Sequence, residues 1–127
     1  HTKNLFLRDK KRNFFLLSCL DNQEVDLKEI KNVISCQGNL SFGSPDYLYD
    51  KLGVRPGSVS PYALINDTEN SVTFYLDKEI INFELCNFHP LDNTKTIQVK
   101  TEDFIKFIKT ITQIQLIDLK TKEITSL

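Results

Sequence analysis

Apolar and polar positions along this chain fall into short blocks, and each block predicts one element. Leu5 to Leu7 and Phe14 to Leu20 are apolar runs separated by the polar stretch Asp9 to Asn13, which predicts a β-hairpin. Asp26 with Glu29 three residues on reads as a capping box, and Leu27, Ile30, Val33 and Ile34 recur behind it at helical spacing. Leu40 to Phe42 is a short strand. Ser44-Pro45 opens a helix carrying Tyr47 and Leu48, because proline is tolerated at the first helical position, and Gly53 ends it. Val54 to Pro61, with two prolines and a glycine, predicts an irregular loop leading into a strand at Tyr62 to Ile65. Asp67 to Asn70 makes a turn, Val72 to Leu76 a strand, and Lys78 to Ile81 a short helical piece. Leu85 to Phe88 is a strand ending at His89-Pro90; Asp92-Asn93 turns the chain into a further strand at Thr96 to Val99. Thr101 caps the last helix, with Phe104, Ile105, Ile108 and Ile111 facing inward, and Ile114 to Leu119 closes the fold as a strand.

Many strands with few helices predict an α+β domain: a single mixed, curved, barrel-like β-sheet with the helices packed against it. No repeat, linker or low-complexity tract divides the chain, so 1–127 reads as one domain. Its 127 residues, 40% hydrophobic and 26% charged, suffice for one hydrophobic core. The longest apolar stretches are only a few residues, too short for a membrane-spanning helix. The chain begins at His1 without a methionine, which suggests a piece of something longer.

Charge changes the picture in one place. The net charge of −1 argues against a protein that coats nucleic acid generally, DNA included. Yet Lys3, Arg8, Lys10, Lys11 and Arg12 crowd the first hairpin while the acids are spread through the rest. Three cysteines (Cys19, Cys36, Cys86), odd in number and irregular in spacing, fit reduced thiols and a cytoplasmic location better than a disulfide framework.

Four features could carry chemistry. Lys3 and Asn4 stand at the mouth of an apolar strand, where a cation and an amide can grip a phosphate or a ribose; a solvated lysine explains the same pattern. The loop Gly57 to Pro61 can present successive backbone N–H groups to an anion or a developing oxyanion, or can serve only as a rigid connector. His89 ends a strand before a proline, and no Ser/His/Asp pattern names a partner for it. Cys86-x-x-His89 could be half of a zinc site, but no second pair completes it. The basic turn Lys10-Lys11-Arg12 reads as a solvent-facing hairpin tip; contact with a nucleic-acid backbone would show as salt-sensitive binding. None of the cysteines has an activating histidine or lysine beside it in sequence, and glycine-rich nucleotide loops are absent.

In order, Lys3-Asn4-Leu5-Phe6-Leu7-Arg8-Asp9-Lys10-Lys11, Leu40-Ser41-Phe42-Gly43-Ser44, Leu52-Gly53-Val54-x-Pro56-Gly57-Ser58-Val59-Ser60-Pro61, Leu64-Ile65-Asn66-Asp67 and Phe88-His89-Pro90 with Asn93-Thr94 resemble one family. It is the YbaK / prolyl-tRNA synthetase insertion-domain family of trans-editing aminoacyl-tRNA deacylases, and the resemblance covers nearly the whole chain. Lys-Asn-Leu-Phe-Leu is similar to the free-standing ProX (ProXp-ala) branch, which clears alanine from mischarged tRNA(Pro). The cysteine-clearing branch and the synthetase insertion domain usually carry threonine after the lysine. Family members also have a helical segment ahead of the lysine strand, which is missing here.

The resemblance implies a hydrolase of the ester between an amino acid and the terminal adenosine of mischarged tRNA, with water positioned partly by the ribose hydroxyl. It implies that Lys3 holds the terminal nucleotide, that Asn4 helps orient it, and that backbone amides of Gly57, Ser58, Val59 and Ser60 stabilise the oxyanion. His89 would line the pocket and exclude larger side chains. Phe6, Pro61, Asn66 and Asp67 fall in the matched motifs as further substrate-binding positions. No cofactor and no metal are implied. The partners implied are the acceptor end of mischarged tRNA and prolyl-tRNA synthetase, with no membrane involved. A Cys-tRNA(Pro) deacylase, or a tRNA-binding module without turnover, remains an alternative. Such a second sieve answers a physical problem, since a pocket that accepts proline rejects alanine by only about 1–3 kcal/mol.

Overall fold

The computed structural model describes residues 1–88 and 95–127. The first hairpin pairs β1 (Thr2–Arg8) with β2 (Phe14–Leu20) over its full length, Thr2 opposite Leu20 and Arg8 opposite Phe14. β3 (Ser41–Phe42), β4 (Val72–Asp77), β7 (Ile114–Asp118) and β8 (Glu123–Ser126) complete a six-stranded sheet in the order β3-β1-β2-β4-β7-β8. β2-β4 and β4-β7 are parallel and the other pairings antiparallel, so the sheet is mixed. The run Phe14 to Leu20 is apolar at nearly every position because β2 lies inside the sheet, covered on both faces.

Alternation along these strands sorts the core into two layers. Phe6, Phe14, Leu16, Phe74, Leu76 and Ile114 face one side, where they meet α2 (Pro45–Leu52) and α3 (Thr101–Lys109). Leu7, Phe15, Leu17, Cys19, Tyr75 and Ile117 face the other, covered by α1 (Leu27–Ile30) and the turns that follow it. A fully buried leucine or phenylalanine contributes about 1.5–3 kcal/mol relative to its exposed state. The larger layer, which includes Leu48, Leu52, Phe88, Phe104 and Ile108, therefore anchors both longer helices.

The α+β class and mixed sheet stand as expected, while five local expectations are corrected. The sheet is not single: β5 (Leu85–Phe88) and β6 (Ile97–Lys100) form a separate antiparallel hairpin docked on the larger core layer. Tyr62 to Ile65 is no strand but part of a 3-10 helix, Pro61–Asn66, because Ser60 Oγ accepts the Tyr62 N–H and Pro61 presets the first turn. Asp26 does cap α1, accepting from Lys28 N at 2.9 Å, but Glu29 reaches to Lys122 at 3.3 Å, and the helix ends after one turn. Thr101 lies inside α3 rather than at its cap, which is Lys100, and its hydroxyl is buried without a hydrogen-bond partner among the described residues. Nor does the strand at Ile114 to Leu119 close the fold: β8 follows β7 and pairs with it antiparallel at the edge of the sheet.

Candidate functional site

Neighbouring residues of a strand point to opposite faces, and this separates Lys3 from Asn4. Lys3 lies opposite Cys19 on the smaller-layer face, where its ammonium donates to the carbonyl of Gln23. Asn4 lies opposite Ser18 on the larger-layer face and accepts the Ser18 hydroxyl through Oδ1. Ser18 is fully buried, so it holds the amide in place. Among the described residues no acceptor meets the Asn4 side-chain nitrogen.

Asn4 lines a hollow of about 60 Å³ with His1, Thr2, Asn87, Phe88 and Thr96. Thr2 Oγ1 donates to Asn87 O at 2.7 Å, which ties the start of β1 to β5 and shapes one wall. Phe88 forms the other: its ring stacks on Phe104 at 4.4 Å and meets Tyr62 edge-on at 6.3 Å. Tyr62 also touches Phe104 and Phe107, at 5.8 and 5.7 Å. Tyr62 follows Pro61, so the Gly57–Pro61 loop leads into this aromatic cluster.

That loop begins with a tight turn. Pro56 occupies its second position, Gly57 its third with φ +93°, and Ser58 N–H donates to Arg55 O at 3.0 Å. This is the type II arrangement, where a side chain at the third position is strained. The turn takes up the Ser58 N–H. The N–H groups of Gly57, Val59 and Ser60 enter no backbone hydrogen bond among the described residues. Ser60 is fully buried, and its hydroxyl caps the 3-10 helix by accepting from Tyr62 N at 3.2 Å, so its side chain is structural.

Three further expected residues serve the scaffold in this structure. Phe6 is 5% exposed, stacks on Phe14 at 5.5 Å, and presses so closely on Gly43 that a Cβ there would come within 2.3 Å of its ring. Asn66 donates to Leu52 O at 2.8 Å and ties the 3-10 helix to the end of α2. The Asp67 carboxylate accepts from Ser71 N, Ser71 Oγ and Val72 N at 3.0, 2.8 and 2.8 Å, closing the turn before β4. Val72 pairs with Phe14, whereas Asn4 sits opposite Ser18, which pairs with Leu76. Asn66 and Asp67 thus lie toward the other end of the sheet from Asn4, about 13 Å along the strands. Pro61 is buried beside the aromatic wall. His89 and Pro90, with Asn93 and Thr94, lie outside the described residues.

The thiols are poor nucleophiles. Burial pushes the Cys19 thiol up to about 12, against a smaller opposing pull from Lys3, and burial likewise raises Cys86. Among the described residues no cluster of three or more His, Cys, Asp or Glu could hold a metal. Nor is any described helix long and apolar enough to cross a membrane.

Sequence reasoning missed Thr2, Ser18, Tyr62 and Thr96. Thr2 shares Asn4's face by simple alternation, which could have flagged it. Ser18, Tyr62 and Thr96 carry no local signal, since each reaches the site through pairing or packing with a distant segment. It also missed Asp77, a fully buried carboxylate on Lys3's face whose pKa is raised by burial.

The chain is an α+β fold in which Asn4, held by the buried Ser18, borders a small hollow. The comparison with known proteins gives the family. A sequence model of the aminoacyl-tRNA editing domain matches residues 1–107, and the chain belongs to that family. It is 37% identical over 110 residues to prolyl-tRNA synthetase associated domain-containing protein 1 of Danio rerio, covering 85% of this chain and 59% of that protein. It is 37% identical over 108 residues to the prolyl-tRNA editing protein ProX of Acetoanaerobium sticklandii, covering 84% and 65%. The chain thus spans somewhat less than two thirds of the length of these curated relatives. A crystal structure described as a candidate trans-editing enzyme for prolyl tRNA synthetase superposes with a TM-score of 0.72, covering 92% of this chain and 68% of the other at 15% identity, a likeness of fold.

Proposed function

We propose that residues 1–127 form an editing domain that hydrolyses the ester between an amino acid and the terminal adenosine of mischarged tRNA, with Ala-tRNA(Pro) as its substrate. The observation that carries this reading is the Asn4 amide at the rim of the hollow, held through Oδ1 by the buried Ser18 hydroxyl, with its nitrogen meeting no acceptor among the described residues. The ester is already activated, so positioned donors and a water suffice where a strong nucleophile is lacking.

In this reading Asn4 Nδ2 donates to the terminal nucleotide or the amino acid, with Oδ1 locked on Ser18. The N–H groups of Gly57, Val59 and Ser60 receive the carbonyl oxygen as it becomes an oxyanion; one such donor is worth about 100-fold or more in rate. Lys3 spends one of its three donors on Gln23 O, and the other two serve a phosphate of the acceptor end. His89 limits the size of the accepted side chain. The names of the relatives link them to prolyl-tRNA, and we extend that link to this chain, with prolyl-tRNA synthetase as a partner that hands on its errors.

A tRNA-binding module without turnover is the second reading. It is favoured by the engagement of Lys3 with Gln23 and by the loss of the Ser58 donor to the turn. Incubation with preformed Ala-, Cys- and Ser-tRNA(Pro) separates the readings. Preferential release of alanine, lost in Lys3→Ala, supports the first. Cleavage of the cysteine ester alone overturns the alanine assignment. Retention of acceptor-stem RNA with every ester intact leaves only the second.

A further inference from the structure

Lys3, Cys19 and Asp77 stand in one row across three adjacent strands. Lys3 pairs with Cys19 between β1 and β2, and the parallel register of Ser18 with Leu76 sets Cys19 beside Asp77 of β4. Two strand spacings, about 10 Å, separate the lysine from the carboxylate. The Cys19 thiol, raised chiefly by burial, also feels both charges: Lys3 pulls its pKa down and Asp77 pushes it up.

The two charges do not pair. Among the described residues Lys3 and Asp77 form no ion pair, and the Lys3 ammonium donates to the Gln23 carbonyl instead. Asp77 is fully buried and spends its oxygens on backbone groups: Oδ2 accepts from Leu20 N at 3.2 Å and Oδ1 from Glu79 N at 3.0 Å. The first bond fixes the start of the turn after β2, and Gln23 N closes that turn by donating to Leu20 O at 3.0 Å. The Gln23 side chain adds a lesser hydrogen bond to the same carboxylate. Asp77 therefore holds the turn from Leu20 to Gln23, whose last carbonyl seats Lys3.

This carboxylate is kept against the pull of burial. Asp9, the buried carboxylate of the hairpin turn, accepts from Lys11 N, Asn13 N, Asn13 Nδ2 and Gln37 N at 2.9, 2.8, 2.9 and 2.8 Å. Burial raises its pKa, but those bonds more than offset it. At Asp77 burial outweighs the bonds and the pKa is raised. Capping the 3-10 helix Lys78–Asn82 takes one acceptor oxygen, which a neutral side chain supplies. What the carboxylate adds is the second oxygen, the one that reaches Leu20.

We infer that Asp77 is a positioning residue for Lys3: through Leu20 and the turn to Gln23 it sets the carbonyl that orients the Lys3 ammonium toward the acceptor-end phosphate. The inference rests on the editing reading, in which Lys3 takes that phosphate. It adds a residue of another strand, buried out of the substrate's reach.

Steady-state kinetics on Ala-tRNA(Pro) and on a plain alanyl ester of adenosine test it, beside the fluorescence anisotropy of an acceptor-stem RNA. Asp77→Asn keeps one acceptor and loses the other. It should raise KM for Ala-tRNA(Pro) and weaken RNA binding about 2- to 10-fold, the range of one hydrogen bond. It should leave kcat and cleavage of the small ester unchanged. Gln23→Ala, at a half-buried position, should shift KM in the same direction by less, and it carries the test if Asp77→Asn does not fold. Neither substitution should have a further effect in a Lys3→Ala background, because the seat has lost its occupant. Additive effects in the double variants would overturn the assignment, as would a loss of kcat shared by both substrates or an unshifted KM. If the wild-type protein cleaves neither ester, the editing reading fails and the RNA-binding comparison decides alone. Non-additive losses of affinity then uphold the role of Asp77, and additive ones overturn it.

Discussion

Lys3 and Asn4, adjacent in the chain, are held on opposite faces of β1: the lysine ammonium on the Gln23 carbonyl, the asparagine amide on the Ser18 hydroxyl. The two should therefore fail differently. Lys3→Ala should raise KM for aminoacyl-tRNA, with kcat/KM falling about 10- to 100-fold, the scale of a lost hydrogen bond to a charged group. It should leave a small aminoacyl-adenosine ester nearly unaffected. Asn4→Ala should lower kcat on both substrates. Steady-state kinetics on the pair of substrates decides this; equal effects of both variants on both substrates would contradict the division of labour.

Asp67 belongs to the sequence motif of the site but spends its carboxylate on Ser71 and Val72. Asp67→Ala should lower unfolding stability by about 1–3 kcal/mol, because it orphans donors at the start of a central strand. Deacylation per folded molecule should be unchanged. Urea unfolding beside an active-site-normalised rate measurement checks both halves.

Asp9 ties stability to pH. Its folded pKa lies below the ordinary carboxylate value, so its contribution is present at neutral pH and is lost as pH falls below about 4. Asp77 acts with the opposite sign. Burial raises its pKa, so its contribution is present below 3.8 and is lost as pH rises through its folded value. Asp9→Asn should be less stable than wild type at pH 7, with the gap narrowing on acidification from pH 4 downward. Denaturant midpoints measured from pH 7 to pH 3 give the answer; a constant gap would mean that the carboxylate charge is not what holds the turn.

With the Cys19 thiol pushed up to about 12 and the side chain fully buried, its thiolate fraction at pH 8 is about one in ten thousand. Cys36 is half-buried, and burial raises it as well. Alkylation of the native protein at pH 8, followed by mass spectrometry, should modify Cys36 well before Cys19 or Cys86. Cys19→Ala should retain deacylation. Rapid labelling of Cys19 in the folded state would refute the burial argument.

Much of the fold is legible in the sequence because its signals are local. Ser44-Pro45 and Gly53 bracket α2 as predicted, since a cap, a preset φ and a left-handed C-terminal residue each act within a turn. Phe104 and Ile108 face the core because helical periodicity needs no distant information. The same locality misled at Tyr62 to Ile65, where a strand-forming composition was overruled by the Ser60 cap and by packing of Tyr62 against Phe88 and Phe104.

By itself, the sequence determined the order of most elements, the apolar face of each, and the motif set that marks an editing domain. Only the tertiary structure decided which residues meet. Strand alternation puts Lys3 and Asn4 on different faces, but which layer covers each face depends on contacts as remote as Thr2 with Asn87, 85 residues apart. Whether a polar side chain serves a ligand or the scaffold depends likewise on which partner folding brings to it. Among the described residues the Asn4 side-chain nitrogen beside the hollow meets no acceptor, while Asn66 is engaged by the Leu52 carbonyl and Asp67 by Ser71 and Val72.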